Sequence, residues 1–100
     1  MRSRSRRHPG LRWYDRERLR DWERKLARPD YWPGGLMLRS VRAYLRLTQG
    51  EMAQAFDVTD RTVRAWEARP MQRLPEAAAA VLLAIMRRTV DPPLPAPSQE

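Results

Sequence analysis

Arginine is the residue with which this sequence could do most of its chemistry. It supplies 19 of the 20 cationic side chains, Lys25 being the other, against 12 acidic residues. The planar guanidinium group suits bidentate contacts to phosphate and to guanine. An arginine-biased genome would produce the same preference, so the inference depends on the excess of positive charge and not on the ratio of arginine to lysine.

Side chains that usually perform catalysis or bind metal are scarce. The sequence has no cysteine, and its single histidine, His8, lies in a basic N-terminal stretch. Disulfides, thiol catalysis and thiolate metal sites are thereby excluded. No phosphate-binding loop, dinucleotide motif or nucleophile–base pair is recognisable. We therefore predict a protein that is not an enzyme and that needs no cofactor.

The length and charge favour one small domain with a polyanionic partner. A chain of 100 residues with a net charge of +8 points to nucleic acid or to an anionic membrane surface. Its longest apolar run, residues 77–86, is shorter than the roughly 20 residues that cross a bilayer. No N-terminal secretory signal is recognisable. We expect a cytoplasmic protein that does not span a membrane.

Composition divides the chain into four segments. Residues 1–10 contain four arginines and no acid, which predicts a disordered basic arm that serves either solubility or insertion into a minor groove. Residues 91–100 contain four prolines, which predicts an extended, disordered tail. Residues 11–35 are expected to form an amphipathic helix and a turn, and residues 36–90 a set of short helices. The fold class predicted is all-α.

In the first helical segment, apolar residues recur at the spacing of one helix face. Asp15 is the predicted N-cap, and Pro29 ends the helix because the residue before proline avoids helical backbone angles. Residues 30–35 are predicted to form a turn or short linker. The residues of the apolar face are Leu19, Trp22 and Leu26.

The second segment carries clear signals for helix ends. Thr48 and Glu51 have the spacing of a capping box, and Thr59 is the predicted N-cap of the following helix. Asp57 stands where a tight turn requires left-handed backbone, and Ala53 supplies the small residue that two crossing helices need. These signals predict two short helices joined by a turn.

Residues 47–67 resemble the helix-turn-helix of the Cro and phage-repressor-like regulators, and the similarity extends over residues 38–86. The turn position that usually holds glycine holds Asp57. The resemblance implies a lambda-repressor-like helical bundle, here with an extra N-terminal helix, and a structural ion pair between Arg42 and Glu67. Trp66 is expected in the core. The matching residues are Leu47, Thr48, Gln49, Ala53, Val58, Val63, Trp66 and Glu67.

The resemblance also implies which residues touch DNA, because in that family the second helix of the motif enters the major groove N-terminus first. Arg61 is the strongest candidate for a bidentate contact to guanine, whereas Asp60 is explained equally well by the helix dipole. The implied base-reading residues are Asp60, Arg61, Arg64 and Ala65. The implied phosphate-binding residues are Gln49, Thr59, Thr62, Arg69 and Arg73.

Two functions remain open at this point. The first is a sequence-specific regulator of double-stranded DNA, bacterial or phage-encoded and nucleoid-associated through DNA binding, that acts as a small repressor of its own or an adjacent operon. The second is the antitoxin of a toxin–antitoxin pair, which binds both a toxin protein and DNA. Membrane-surface binding by the N-terminal helix is disfavoured by the acidic residues of that helix.

Residues 77–86 are apolar on nearly every side of their predicted helix, unlike a helix that buries one face. Either the N-terminal helix covers the second side or two chains meet there. Two-fold dimers are the commonest oligomers and match palindromic operators. We therefore predict a homodimer.

Overall fold

Five helices account for the regular structure of residues 13–90, which are the residues that the structure, a computed structural model, describes. The predicted arm (1–10) and tail (91–100) lie outside this range. The helices are α1 (Trp13–Leu26), α2 (Gly35–Leu45), α3 (Gln49–Phe56), α4 (Asp60–Glu67) and α5 (Glu76–Val90). The only β pairing in this range is an isolated antiparallel bridge between Gly34 and Arg73. The all-α prediction is confirmed for these residues.

Helix α1 buries the apolar face that its spacing predicts. Leu19 and Trp22 are buried, and Leu26 is half-buried at the end of the helix. The prediction for Asp15 is wrong, because the helix begins at Trp13 and Asp15 falls in its first turn. A carboxylate in the first turn favours the helix through its dipole, so this residue contributes a charge and not a cap.

The apolar helix α5 is covered by α1. Its buried side chains are Ala78, Ala79, Leu82 and Met86, and α1 packs directly on it. Of the two explanations that the sequence allowed, the structure therefore shows the first, in which the N-terminal helix supplies the cover. Trp22 also meets α2, where its ring contacts Tyr44 edge to face with centroids 5.3 Å apart.

The capping box predicted at the start of α3 and the left-handed turn residue predicted at its end are confirmed. The Thr48 hydroxyl accepts from the amide of Glu51 (3.0 Å), and the Glu51 carboxylate accepts from the amide of Thr48 (2.8 Å). Asp57 has a φ of 57°, and the amide of Val58 donates to the carbonyl of Ala53 (3.0 Å). This turn places α3 and α4 in close contact.

A second left-handed residue closes α2 and has no counterpart in the sequence prediction. Arg46 has a φ of 60°, and its amide donates to the carbonyl of Ala43 (3.1 Å). The adjoining Leu47 is held from both sides, since its amide donates to the carbonyl of Arg42 (3.0 Å) and its carbonyl accepts from the Arg42 guanidinium (3.0 Å). These bonds offset the cost of left-handed backbone at a residue with a side chain.

Hydrogen bonds join the stretch before α2, which is predicted as a turn or linker, to the stretch between α4 and α5. We call these two segments, residues 32–36 and 70–74, the clasp. Three backbone hydrogen bonds and one from the Trp32 indole join them. The amide of Gly35 donates to Gln72 (3.1 Å), that of Leu36 to Pro70 (3.0 Å), that of Leu74 to Pro33 (3.1 Å), and Trp32 Nε1 donates to the Leu74 carbonyl (2.8 Å).

Candidate nucleic-acid interface

Helix α4 is oriented by the side chains on its inner face. Val63 is fully buried, and Trp66 packs edge to face on Phe56 with ring centroids 6.0 Å apart. Trp66, which is expected in the core, packs against the core cluster but is only half-buried. It also lines a surface pocket together with Ala65.

The opposite face of α4 is exposed and carries the four residues expected to read bases. Asp60, Arg61, Arg64 and Ala65 are all exposed. The helix is eight residues long, and its first turn holds two of these four. A short, well-anchored helix with one polar face outward is a suitable shape for a groove in a duplex.

The two arginines of this face differ in their surroundings. Arg64 Nη1 lies 3.0 Å from Asp60 Oδ2, and each side chain is 55% exposed. No hydrogen bond or ion pair with residues 13–90 engages the Arg61 side chain. Arg61 therefore presents an uncompensated charge, whereas the charge of Arg64 is shared with an acid one turn earlier on the same helix.

Two threonines at the start of α4 bond to each other. The Thr59 hydroxyl accepts from the amide of Thr62 (3.3 Å), as its predicted role as N-cap requires, and the two hydroxyl oxygens are 3.2 Å apart. Thr59 is exposed and Thr62 half-buried. Both belong to the set expected to contact phosphate, and their hydroxyls lie at the end of α4 where the helix dipole attracts anions.

Gln49 is placed differently from the expectation that its side chain faces phosphate. It is half-buried, and its amide nitrogen donates to Glu67 Oε1 at 3.1 Å. Residues 49 and 67 belong to different helices, so no local pattern in the sequence indicates this bond. The Gln49 side chain therefore links the start of α3 to the end of α4 and does not extend into solvent.

Arg42 and Glu67 form a bidentate ion pair that joins α2 to α4. Arg42 Nε donates to Oε2 (2.7 Å) and Nη2 donates to Oε1 (2.9 Å). The Glu67 side chain is only 6% exposed and that of Arg42 is 20% exposed. The hydrogen bonds that Arg42 donates to Glu67 raise the pKa of Arg42 above its ordinary value, and partial burial opposes this shift. The pair ties the end of α4 to α2 and so fixes the orientation of α4.

Two further arginines lie beyond the C-terminal end of α4. Arg69 and Arg73 are exposed and line a pocket of about 390 Å³ with Ala65 and Trp66. The Arg73 guanidinium carbon lies 6.0 Å from the centre of the Trp32 ring. The cations expected to bind phosphate are therefore continuous with the exposed face of α4.

Residues 13–90 contain no group of three or more histidine, cysteine or acidic side chains placed to hold a metal ion. None of the helices described combines the length and the apolar character needed to pass through a bilayer.

No protein-family model, curated protein or solved structure matches the chain.

Proposed function

We propose that this protein is a sequence-specific regulator that binds double-stranded DNA through α4. The observation that carries the proposal is the exposed guanidinium group of Arg61, which has no partner within residues 13–90, in the first turn of a helix whose opposite face is buried. Arginine makes the commonest specific contact to guanine, a bidentate bond to O6 and N7. A fixed helix presents such a donor with little loss of backbone freedom on binding.

The other exposed residues of α4 fit the chemistry of base edges in the major groove. Asp60 accepts from a cytosine amine, and Ala65 contacts a thymine methyl group. Arg64 reaches a guanine or a phosphate once it leaves Asp60, at a cost that is small because an exposed pair of this kind contributes well under about 1 kcal/mol. These roles assume that α4 enters the groove from its N-terminal end.

Phosphate contacts flank this face in the proposed complex. Thr59 and Thr62 lie at one end of α4 and Arg69 and Arg73 beyond the other, so the helix is bracketed by groups that bind the two sides of a groove. Such contacts set register, whereas base contacts set sequence. Gln49 belongs to this set only if its side-chain amide nitrogen, which donates one hydrogen to Glu67, donates the other to a phosphate.

The proposal includes membership of the Cro and phage-repressor-like helix-turn-helix regulators. The capping box at Thr48, the left-handed Asp57 and the ion pair between Arg42 and Glu67 all support it. In this reading the protein is a small repressor of its own or an adjacent operon. Blocking a promoter requires only that the protein occupy its site on the DNA.

The proposal is tested by selecting duplexes from a random pool and measuring affinity for the selected site and for unselected DNA. Arg61→Ala is expected to weaken binding to the selected site by about 1–3 kcal/mol and to relax the sequence preference there. Arg20→Ala is the matched control, because it removes the same charge from an exposed position on α1. Equal affinity of the native chain for selected and random duplexes would contradict sequence-specific binding.

A homodimer on a palindromic operator is the corresponding proposal for assembly. Ala77, Ala80 and Ala84 remain exposed on α5 after α1 has packed on it, which leaves a surface of small side chains for a second copy. Sedimentation equilibrium at micromolar concentrations is expected to give a dimer, and selected sites to contain two half-sites about 10 base pairs apart. A monomer bound to a single half-site would reject the dimer and leave the DNA-binding proposal intact.

A further inference from the structure

A groove of about 490 Å³ runs between α1, the clasp and the first turn of α2, away from the exposed face of α4. Its floor includes Trp22, and its walls include Tyr31 and Trp32 from one side and Pro70 and Met71 from the other. Aromatic rings and a proline thus line a surface that is open to solvent along its length.

Apolar side chains in this groove are unusually exposed. Trp32 is 39% exposed, Leu36 57% and Met71 88%. Single exposed apolar residues are common on protein surfaces, but several that converge on one concave site indicate a binding surface. The three side chains come from both segments of the clasp, which fixes the backbone on either side of the groove.

The rim of the groove is basic. Arg18, Lys25 and Arg73 line it together with one acid, Asp21. Lys25 Nζ lies 2.7 Å from Asp21 Oδ2, so that acid is already neutralised within the rim. The excess charge belongs to Arg18 and Arg73, each of which lies over an aromatic ring, Tyr44 and Trp32 respectively. An occupant with apolar and acidic groups would complement this surface.

The chain itself contains a segment of matching chemistry in residues 91–100. Four of its ten residues are proline, one is leucine, and its only charged side chains are Asp91 and Glu100. Proline-rich segments bind aromatic-lined grooves because the polyproline conformation costs little entropy to fix. The carboxylates of this segment are opposite in charge to the arginines of the rim.

The length of the segment is sufficient for it to reach the groove. Helix α5 begins at Glu76, next to the clasp, and its 15 residues cover about 22 Å at about 1.5 Å per residue. Ten residues in a polyproline conformation extend about 31 Å at about 3.1 Å per residue. A chain that leaves α5 at Val90 is therefore long enough to return along the helix to its beginning.

We propose that this groove binds the proline-rich segment 91–100 of the same chain. The prolines and Leu94 pack against Trp32, Leu36 and Met71, and an acidic side chain meets Arg18 or Arg73. The proposal does not rest on DNA binding, because the groove includes none of the exposed residues of α4 and shares only Arg73 with the proposed phosphate contacts.

The absence of cysteine from the sequence allows a direct test in the full chain. Ser98→Cys introduces a single thiol for a nitroxide spin label, and amide signals of the nitrogen-15-labelled chain are compared with the label oxidised and reduced. Selective loss of signal at the amides of Leu36, Met71 and Gln72 is the expected result. Loss spread evenly over the chain, or confined to α4, would overturn the proposal.

Two variants of the labelled chain separate a specific contact from mere proximity. Met71→Glu places an acid in the groove at a highly exposed position, and Pro93→Ala/Pro95→Ala removes two of the four prolines. Each is expected to restore most of the lost signal while leaving the other amide positions of the fold unchanged. Signal loss that persists in both variants would show that the label approaches the groove without binding there.

An equal mixture of spin-labelled chain and separately isotope-labelled, label-free chain distinguishes the same chain from a neighbour. Binding within one chain is expected to give no signal loss in the mixture. Loss at the groove amides in the mixture, declining on dilution, would assign the occupant to a second copy and overturn the proposal as stated.

Discussion

Gly35 lies where the start of α2 closely approaches the backbone at the end of α4. A Cβ atom at this position would lie 2.1 Å from the carbonyl oxygen of Trp66 and 2.8 Å from that of Arg69. Both atoms belong to the backbone at the end of α4 and cannot rotate away. Gly50 is the opposite case, since a Cβ there would meet only the Thr48 hydroxyl at 3.9 Å.

The two glycines therefore predict opposite effects of the same substitution. Gly35→Ala is expected to destabilise the fold by about 1–3 kcal/mol, as overpacking of a dense interior does. Gly50→Ala is expected to stabilise it by about 0.5–1 kcal/mol, because alanine is the better helix former and α3 leaves space for it. Urea denaturation of both variants measures the difference. Equal effects would contradict the close approach at Gly35.

Tyr31 predicts how stability changes in alkaline solution. Burial, reinforced by the charge of Asp21 and opposed by that of Arg28, raises the pKa of Tyr31 to about 12. An unfolded tyrosine ionises near pH 10, so between about pH 10 and 12 the unfolded state loses a proton that the folded state retains. The free energy of unfolding is therefore expected to fall across that range.

The measurement for Tyr31 is the midpoint of urea unfolding at several alkaline pH values, with Tyr31→Phe as the control. Tyr44 also has its pKa raised by burial, so the native chain and the variant are expected to share part of the decline. A variant as sensitive to pH as the native chain would refute the contribution of Tyr31.

At the scale of the helix, Trp22 is the largest side chain that α1 buries. Trp22 is 1% exposed and contacts Tyr44, whereas Trp13, on the same helix, is 75% exposed. Burial of apolar area stabilises in proportion to the area removed from water. The two tryptophans therefore offer a comparison of one residue type in one helix with and without tertiary contacts.

Trp22→Ala is expected to destabilise the protein by about 3–5 kcal/mol, and Trp13→Ala to change its stability by no more than about 0.5 kcal/mol. Thermal unfolding followed by circular dichroism gives both values. Trp22→Phe, a smaller deletion, keeps the comparison measurable if the alanine variant does not fold. A loss for Trp13→Ala as large as for Trp22→Phe would show that α1 is not held in this way.

The helices that the sequence predicted best are those whose ends depend on neighbouring residues. The capping box at Thr48, the cap at Thr59 and the left-handed Asp57 follow from spacings of three or four residues. The clasp could not be found in this way, because its hydrogen bonds join residues far apart in the chain. Gly35 reads locally as a turn residue, and only the position of α4 explains why it must be glycine.

In the candidate site too, some features follow from local spacing in the sequence and others do not. The exposed face of α4 follows from helical spacing once Val63 is placed inside. The bond from Gln49 to Glu67 and the pairing of Arg64 with Asp60 depend on side-chain positions. The second pair has the spacing of one helical turn, which could have indicated it, whereas the first has no local signal.

For the whole molecule, positive charge is the property that most affects the proposed binding. The net charge of +8 favours association with any duplex through release of condensed cations. The logarithm of the association constant for a selected site is therefore expected to fall linearly with the logarithm of salt concentration. Specific and non-specific contributions separate because only the first depends on base contacts.

Arg69→Ala is expected to reduce the slope of that plot by about 1, because each phosphate contact contributes about 0.9. It is expected to weaken binding to selected and random duplexes about equally. Arg88→Ala, at an exposed position in the last turn of α5, serves as the control and leaves the slope unchanged. An unchanged slope in Arg69→Ala would place this residue outside the interface.

The clasp affects the order in which tertiary contacts form during synthesis. It joins positions as far apart as Trp32 and Leu74, 42 residues along the chain, and α1 rests on α5, the last helix described. During synthesis α3 and α4 can pair as soon as both have left the ribosome, because their contacts are local. The hydrogen bond from Gly35 to Gln72 cannot form until residue 72 has left the ribosome. The packing of α1 on α5 cannot form until later still. Helix α1, the earliest of the five helices described, is therefore among the last to gain its full set of tertiary contacts, because the cover that α5 gives it forms only after residues 76–90 have left the ribosome.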